Sequence, residues 1–153
     1  MLREAFTERL KQAMRAKDAR TLSSVRMILA ALKDRDIAAR GTGNTAGIPD
    51  AEILRLLQGM IKQRRESIAL YRQGNRPELA DQEEQEIAVI ESFLPKQMSD
   101  EEAAAAVKEA IAETGAAGVK DMGKVMAALK ERYAGQMDFA KASATVKELL
   151  SGK

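Results

Sequence analysis

Apolar residues recur at three- and four-residue intervals along almost the whole chain, and no useful length alternates apolar and polar at period two. The pattern predicts an all-α protein. A first helix is expected from about Leu2 to Lys17, with Phe6, Leu10 and Met14 along one face. Asp18 or Thr21 caps a second helix, whose stripe is Leu22, Val25, Leu29 and Leu32, widened by Met27 and Ile28. Asp50 is expected as the N-cap of a long third helix. It would bury Ile53, Leu56, Leu57, Met60, Ile61, Ile68 and Tyr71, and present Arg55, Lys62, Arg64, Arg65 and Arg72 on its other face. Pro77 opens a fourth helix with Leu79, Ile87 and Ile90 on its apolar side. Its remaining positions carry Glu78, Asp81, Glu83, Glu84, Glu86 and Glu91 without one basic residue. A basic helix joined to an acidic one through Gly74-Asn75-Arg76 predicts an antiparallel hairpin, with Arg64 and Arg65 paired to the acidic helix or, as the alternative, turned toward a nucleic-acid backbone.

The stretch Ser92 to Glu102 then stops one helix and starts another. Pro95 has no backbone N–H and disfavours helical geometry in the residue before it. Ser99 and Glu102 have the spacing of a reciprocal capping box, and Asp100 to Glu102 place negative charge at the positive end of the next helix. The expected organisation is an N-terminal helical hairpin or bundle domain, residues 1–95, followed by a small C-terminal three-helix domain, residues 96–153. The three C-terminal stripes are Ala103, Val107 and Ile111 (or Ala110); Met122, Val125, Met126, Leu129 and Tyr133; and Phe139, Ala142, Val146, Leu149 and Leu150. Between the second and third helices, Gly41 to Gly47 reads as a mobile surface loop. No Gly-Lys-Ser/Thr follows it and no strand precedes it, so it is not a phosphate loop.

Composition changes this picture mainly by what is missing. The 153 residues contain no His and no Cys, which removes the usual zinc sites and the Ser-His and Cys-His nucleophile pairs. No catalytic residue, cofactor or metal is assigned. The run Glu83-Glu84-Gln85-Glu86 reads as a solvated face, since no ligands converge on it from elsewhere. Without Trp, and with two Tyr and three Phe, there is no aromatic platform for stacking bases. No long uncharged apolar run is present, and Met1 to Phe6 lack the apolar core of a secretory leader, so a cytoplasmic protein with no membrane association is expected.

The net charge is only +2, but the C-terminal charges are segregated. Asp100, Glu101, Glu102, Glu109 and Glu113 crowd the fifth helix, whereas Lys120, Lys124, Lys130, Arg132, Lys141 and Lys147 dominate the last two. These six cations are a candidate phosphate-tracking face, with Gly123 as a point of close approach to a helix N-terminus. The alternatives are an ordinary solvated face for the lysines and helix packing or turn geometry for Gly123. Asp121 is expected to occupy the same backbone donors.

Four stretches carry a family resemblance: Met27 to Ile37, Lys62 to Ser67, Phe93 to Met98, and Lys120 to Met126. Together they make the chain similar to the YqeY-like, or GatB/YqeY, proteins. The resemblance implies an all-helical protein with an N-terminal helical domain and a C-terminal three-helix domain. It further implies a link to the tail of the B subunit of the tRNA-dependent amidotransferase, which helps hold tRNA, and to a module appended to some glutaminyl-tRNA synthetases. tRNA is therefore the expected partner, with an aminoacyl-tRNA synthetase or an amidotransferase as a possible protein partner. The activity label the family carries is carbon–nitrogen ligase with glutamine as amido donor; the kinase-like cradle domain that performs that chemistry has no counterpart in this sequence. Relatives place a basic residue and Ala-Asp-Gly after the glycine between the last two helices, where this chain reads Gly135-Gln136-Met137-Asp138-Phe139. The expected function is a non-catalytic tRNA-associated accessory protein; the alternative is a protein–protein adaptor that uses the basic/acidic hairpin.

Overall fold

The structure, a computed structural model, describes residues 1–152; Lys153, the end of the expected C-terminal domain, lies outside the described residues. Among the described residues there are seven α-helices and no strand. They are α1 (Leu2–Ala16), α2 (Ala19–Arg40), α3 (Asp50–Gln73), α4 (Pro77–Glu91), α5 (Asp100–Thr114), α6 (Met122–Tyr133) and α7 (Phe139–Ser151), with a 3₁₀ turn at Val119–Asp121 before α6. The chain divides into two compact units, Met1–Pro95 and Lys96–Lys153.

In unit 1, α3 packs chiefly on α4 and α1 on α2, while α2 also packs on α4. Phe6, Val25, Ile28, Ile53, Leu57 and Ile90 are fully buried at its centre. Phe6 meets Phe93 edge to face at 4.8 Å, and the Arg9 guanidinium lies 4.8 Å above the Phe93 ring, so the end of α4 is held by aromatic and cation–π contacts. The α1–α2 connection is two residues long: Lys17 turns left-handed at φ 56°, and the Asp18 carboxylate accepts from the Thr21 N–H at 3.1 Å. Three details differ from the periodicity. Met14 is exposed while Ala13 is buried, and on α2 Ser24, Val25, Ile28 and Leu32 form the buried line. Pro49, with extended backbone, is the N-cap of α3, and Asp50 is its first helical residue. Helical phase is set by where neighbouring helices come closest, and small residues sit at those closest points.

The loop after α2 is not a loose connection. The Asn44 amide donates to Gly47 O at 3.1 Å, and its oxygen accepts from the Ala46 N–H at 3.0 Å. Asp36 then clamps the loop's far end. Its Oδ1 accepts from the Ile48 N–H at 2.9 Å, while Arg3 makes a bidentate pair with it at 2.8 and 2.9 Å and also donates to Ile48 O at 2.8 Å. Arg3 and Ile48 together hold the Asp36 carboxyl down at about 2. Gly47 adopts φ 96°, and a Cβ there would fall 2.7 Å from Arg3 Nη2 and 3.1 Å from Asp36 Oδ1. The clamp therefore requires glycine.

In unit 2, α5, α6 and α7 each pack on the other two. The core is Ala106, Val107, Ala110, Val125, Leu129, Met137, Ala142 and Val146, with Leu149 exposed. Ser99 and Glu102 form the expected capping box, and Asp138 caps α7 through the Ala140 and Lys141 N–H groups. The α6–α7 turn also has a structural task. Gly135 O and Gln136 O accept from the Gln97 side chain and the Met98 N–H at 2.5 and 2.8 Å, and Met137 is buried beneath.

Candidate nucleic-acid interface

Every basic residue of the candidate set in unit 2 is exposed: Lys120, Lys124, Lys130, Arg132, Lys141 and Lys147. The structure brings some of them together and separates others. Lys120 and Lys124 flank Asp121, whose pKa is lowered first by the Ala117 N–H and then by the fields of these lysines. Arg132, on α6, is ion-paired to Glu113 on α5 and so is tied to the acidic helix. Lys124 and Lys130 lie six residues apart, which on a helix turning about 100° per residue separates them by about 120°. Lys141 and Lys147 are separated in the same way on α7, so the six do not form one continuous face.

Gly123 is the second residue of α6, exposed, and a Cβ added to it would meet nothing within 4 Å. Neither tight packing nor a turn explains a glycine there. The Asp121 carboxylate does not occupy the α6 donors, as it accepts from the Ala117 N–H at 3.0 Å instead, leaving α6 without a side-chain cap. The start of α6, between Lys120 and Lys124, thus has no side-chain cap, although the preceding 3₁₀ turn already engages the Asp121 and Met122 N–H groups through Gly118 O and Val119 O.

The charges of the α3–α4 hairpin are used within it. Arg65 pairs with Glu91 at 3.4 Å, Arg72 with Glu84 at 2.6 Å, and Arg76 with Glu78 at 2.7 Å. Arg64 differs from the outward cation the pattern suggested, because it is buried. Its Nε donates to Glu86 Oε2 at 3.1 Å and lies 3.7 Å from Glu83 Oε2, and its guanidinium also reaches Met60 O and Met27 Sδ. Glu86 is likewise buried and Glu83 half-buried, which corrects the reading of this run as a solvated face. Two carboxylates compete for one guanidinium. Glu83 Oε2 is buried without a hydrogen-bond partner, and burial, with the Glu86 carboxylate beside it, raises the Glu83 pKa against the pull of Arg64.

Sequence reasoning concentrated on unit 2 and passed over α1 and α2. Residues 1–40 hold ten Lys/Arg against five Asp/Glu, a net +5, whereas residues 41–95 hold six against nine and residues 96–153 nine against nine. Counting charge by segment finds this.

Residues 3–150 match the Yqey-like protein family. The chain belongs to the YqeY-like family. Among curated proteins this YqeY-like chain is similar to "Altered inheritance of mitochondria protein 41, mitochondrial" of Vanderwaltozyma polyspora, 35% identical over 56% of this chain and 44% of that protein. The protein of the same name from Lachancea thermotolerans is 33% identical over 56% of this chain and 43% of its own length. An uncharacterized protein of Schizosaccharomyces pombe is 24% identical over 65% of this chain and 76% of its own. The chain spans less than half the length of the first two relatives. Their names overturn the expectation of a cytoplasmic protein. The absence of cysteine speaks to the oxidising secretory route alone, and leaves organelles reached by other signals open. No helix among the described residues is long and apolar enough to cross a membrane.

Proposed function

We propose that this YqeY-like protein is a non-catalytic RNA-associated accessory factor whose unit 2 docks on the phosphate backbone of a folded RNA, with tRNA as the candidate. The observation that carries the reading is the first turn of α6, where Lys120 and Lys124 stand beside a helix start with no side-chain cap and a glycine with nothing against it. Lys130, Lys141 and Lys147 extend the positive field around α6 and α7, and Arg132 contributes less because Glu113 holds it. Contacts of this type are to phosphates, so selectivity comes from RNA shape and affinity falls steeply with salt. The adaptor alternative, resting on the α3–α4 hairpin, has less support, since most of that hairpin's charges already pair with each other.

The test is a salt titration of tRNA binding for the native protein and for Lys124→Glu/Lys130→Glu. The reading predicts weaker binding and a salt slope shallower by about 2 in the variant, about 1 for each lost phosphate contact. Equal affinity and equal slope would return these lysines to the status of a solvated face. Glutamine- and ATP-dependent transamidation of Glu-tRNA by the pure protein, free of any amidotransferase, would overturn the non-catalytic part.

A further inference from the structure

Charge in unit 1 is divided by role. Of the five carboxylates in residues 1–40, Asp36 is held by Arg3 and the Ile48 N–H, Asp18 caps α2, and Glu4 pairs with the chain's N-terminal amine. Two of the ten cations are similarly engaged: Arg3 by Asp36, and Arg9 by Ser92 and the Phe93 ring. The other eight, Lys11, Arg15, Lys17, Arg20, Arg26, Lys33, Arg35 and Arg40, are all exposed. Among the described residues none of the eight has a carboxylate within ion-pair distance; only Glu8 and Asp34 remain on these helices to offset them.

Three of these cations are ordered along α2. Arg26, Lys33 and Arg40 follow one another at seven-residue intervals, so they make one row about 21 Å long at 1.5 Å rise per residue. By the same helical count the buried line of α2, Ser24, Val25, Ile28 and Leu32, centres roughly 125° around the helix from the row, which leaves the row facing outward. Beside the row, Ala19, Leu22, Ser23, Arg26, Met27 and Ala30 line an open groove, and the small side chains among them let a bulky ligand lie close against the helix.

We infer that the outer face of α2 carrying the Arg26–Lys33–Arg40 row is a second docking surface for the backbone of a folded RNA. The inference rests on the proposed reading only for the class of ligand; its location is independent of unit 2. A nucleic-acid duplex carries one negative charge per about 1.7 Å of axis, so the row of Arg26, Lys33 and Arg40 spans roughly a dozen phosphate charges that it can track. An anionic membrane surface fits poorly. A surface-lying helix needs a bulky apolar face to insert, and α2 has buried its own in the core, leaving Met27 and Ile37 as its large exposed apolar side chains.

The experiment measures binding of the full chain to a fluorescent tRNA transcript as salt is varied. Three variants are compared with the native protein. One is Arg26→Glu/Lys33→Glu/Arg40→Glu; the second, Arg55→Glu/Lys62→Glu/Lys108→Glu, has the same change in net charge at exposed positions on α3 and α5. The third is the unit 2 pair Lys124→Glu/Lys130→Glu. The α2 variant is expected to lose at least about tenfold in affinity, with a salt slope shallower by about 3, while the charge-matched control loses much less. Circular dichroism checks that helix content is unchanged, and the Arg26→Gln/Lys33→Gln/Arg40→Gln set repeats the test without reversed charge. Equal losses in the α2 variant and its control would overturn the inference in favour of net charge alone. Loss in the unit 2 pair with none in the α2 variant would overturn it and leave the unit 2 reading standing; the reverse result would support it and remove the unit 2 reading. Binding of the native chain to phosphatidylserine vesicles or to an acidic polypeptide, but not to RNA, would also overturn it.

Discussion

Removing the carboxylates around Arg64 one at a time and then together should give sharply unequal costs. In the native fold Arg64 Nε has two acidic neighbours, Glu86 at 3.1 Å and Glu83 at 3.7 Å, and the first takes the hydrogen bond. Glu83→Gln removes one of two like charges and keeps the shape, so at neutral pH it should leave stability within about 1 kcal/mol of native, on either side. Glu83→Gln/Glu86→Gln leaves a buried guanidinium with no counter-charge, and breaking a buried pair in this way costs about 3–5 kcal/mol. The sign of the pH effect follows from the raised Glu83 pKa. The folded state takes up the Glu83 proton before the unfolded chain does, so native stability gains from this group as pH falls from neutral toward the ordinary glutamate range. Glu83→Gln should lack that gain. Urea unfolding followed by tyrosine fluorescence reads unit 1 alone in a Tyr133→Phe background, where Tyr71 is the remaining tyrosine. A Glu83→Gln variant as unstable as the double variant would refute the idea that Glu83 is the surplus charge.

Three further outcomes follow from single residues. Asp36→Asn should cost about 1–2 kcal/mol at neutral pH, the shift to about 2 setting an upper bound that solvent screening reduces. In the native protein that contribution is full above the ordinary aspartate pKa of 3.8 and disappears as pH falls through about 2, which acid unfolding of the two proteins side by side will show. Gly47→Ala should destabilise by at least about 1–2 kcal/mol, since φ 96° is strained for alanine and its Cβ would press on Arg3, as denaturant unfolding will read out. Gly123→Ala should raise thermal stability by up to about 1 kcal/mol, because the helix gains propensity and the space is open; a loss of stability would mean that the glycine has a packing role.

Much of this fold is legible where the signal is local. Asp18 and Ser99 as caps, Pro77 at the first turn of α4, and Gly74 and Gly115 past helix ends act through neighbours a few residues away. What misled was what the third dimension decides. Gly41 to Gly47 looked mobile because its composition is that of a flexible loop, yet Arg3 and Asp36, from α1 and α2, fix its end. Arg64 has the composition of a surface residue, but its long side chain reaches the seam where Glu83 and Glu86 converge. In the candidate interface, the spacing already separates Lys124 from Lys130, since six residues turn a helix through most of a second revolution, but the loss of Arg132 to Glu113 on a neighbouring helix was not readable. The charge of α1 and α2 lay in plain counts, but which of those charges are already engaged emerges only from the folded contacts.

RNA association itself is open to a single binding curve. A labelled tRNA transcript titrated with the native chain at low salt, then at rising salt, should show saturable binding whose logarithmic affinity falls linearly with the logarithm of salt. The slope should correspond to at least about three phosphate contacts. Absence of saturable binding at about 50 mM salt, or binding indifferent to salt, would contradict a phosphate-docking surface anywhere on this protein.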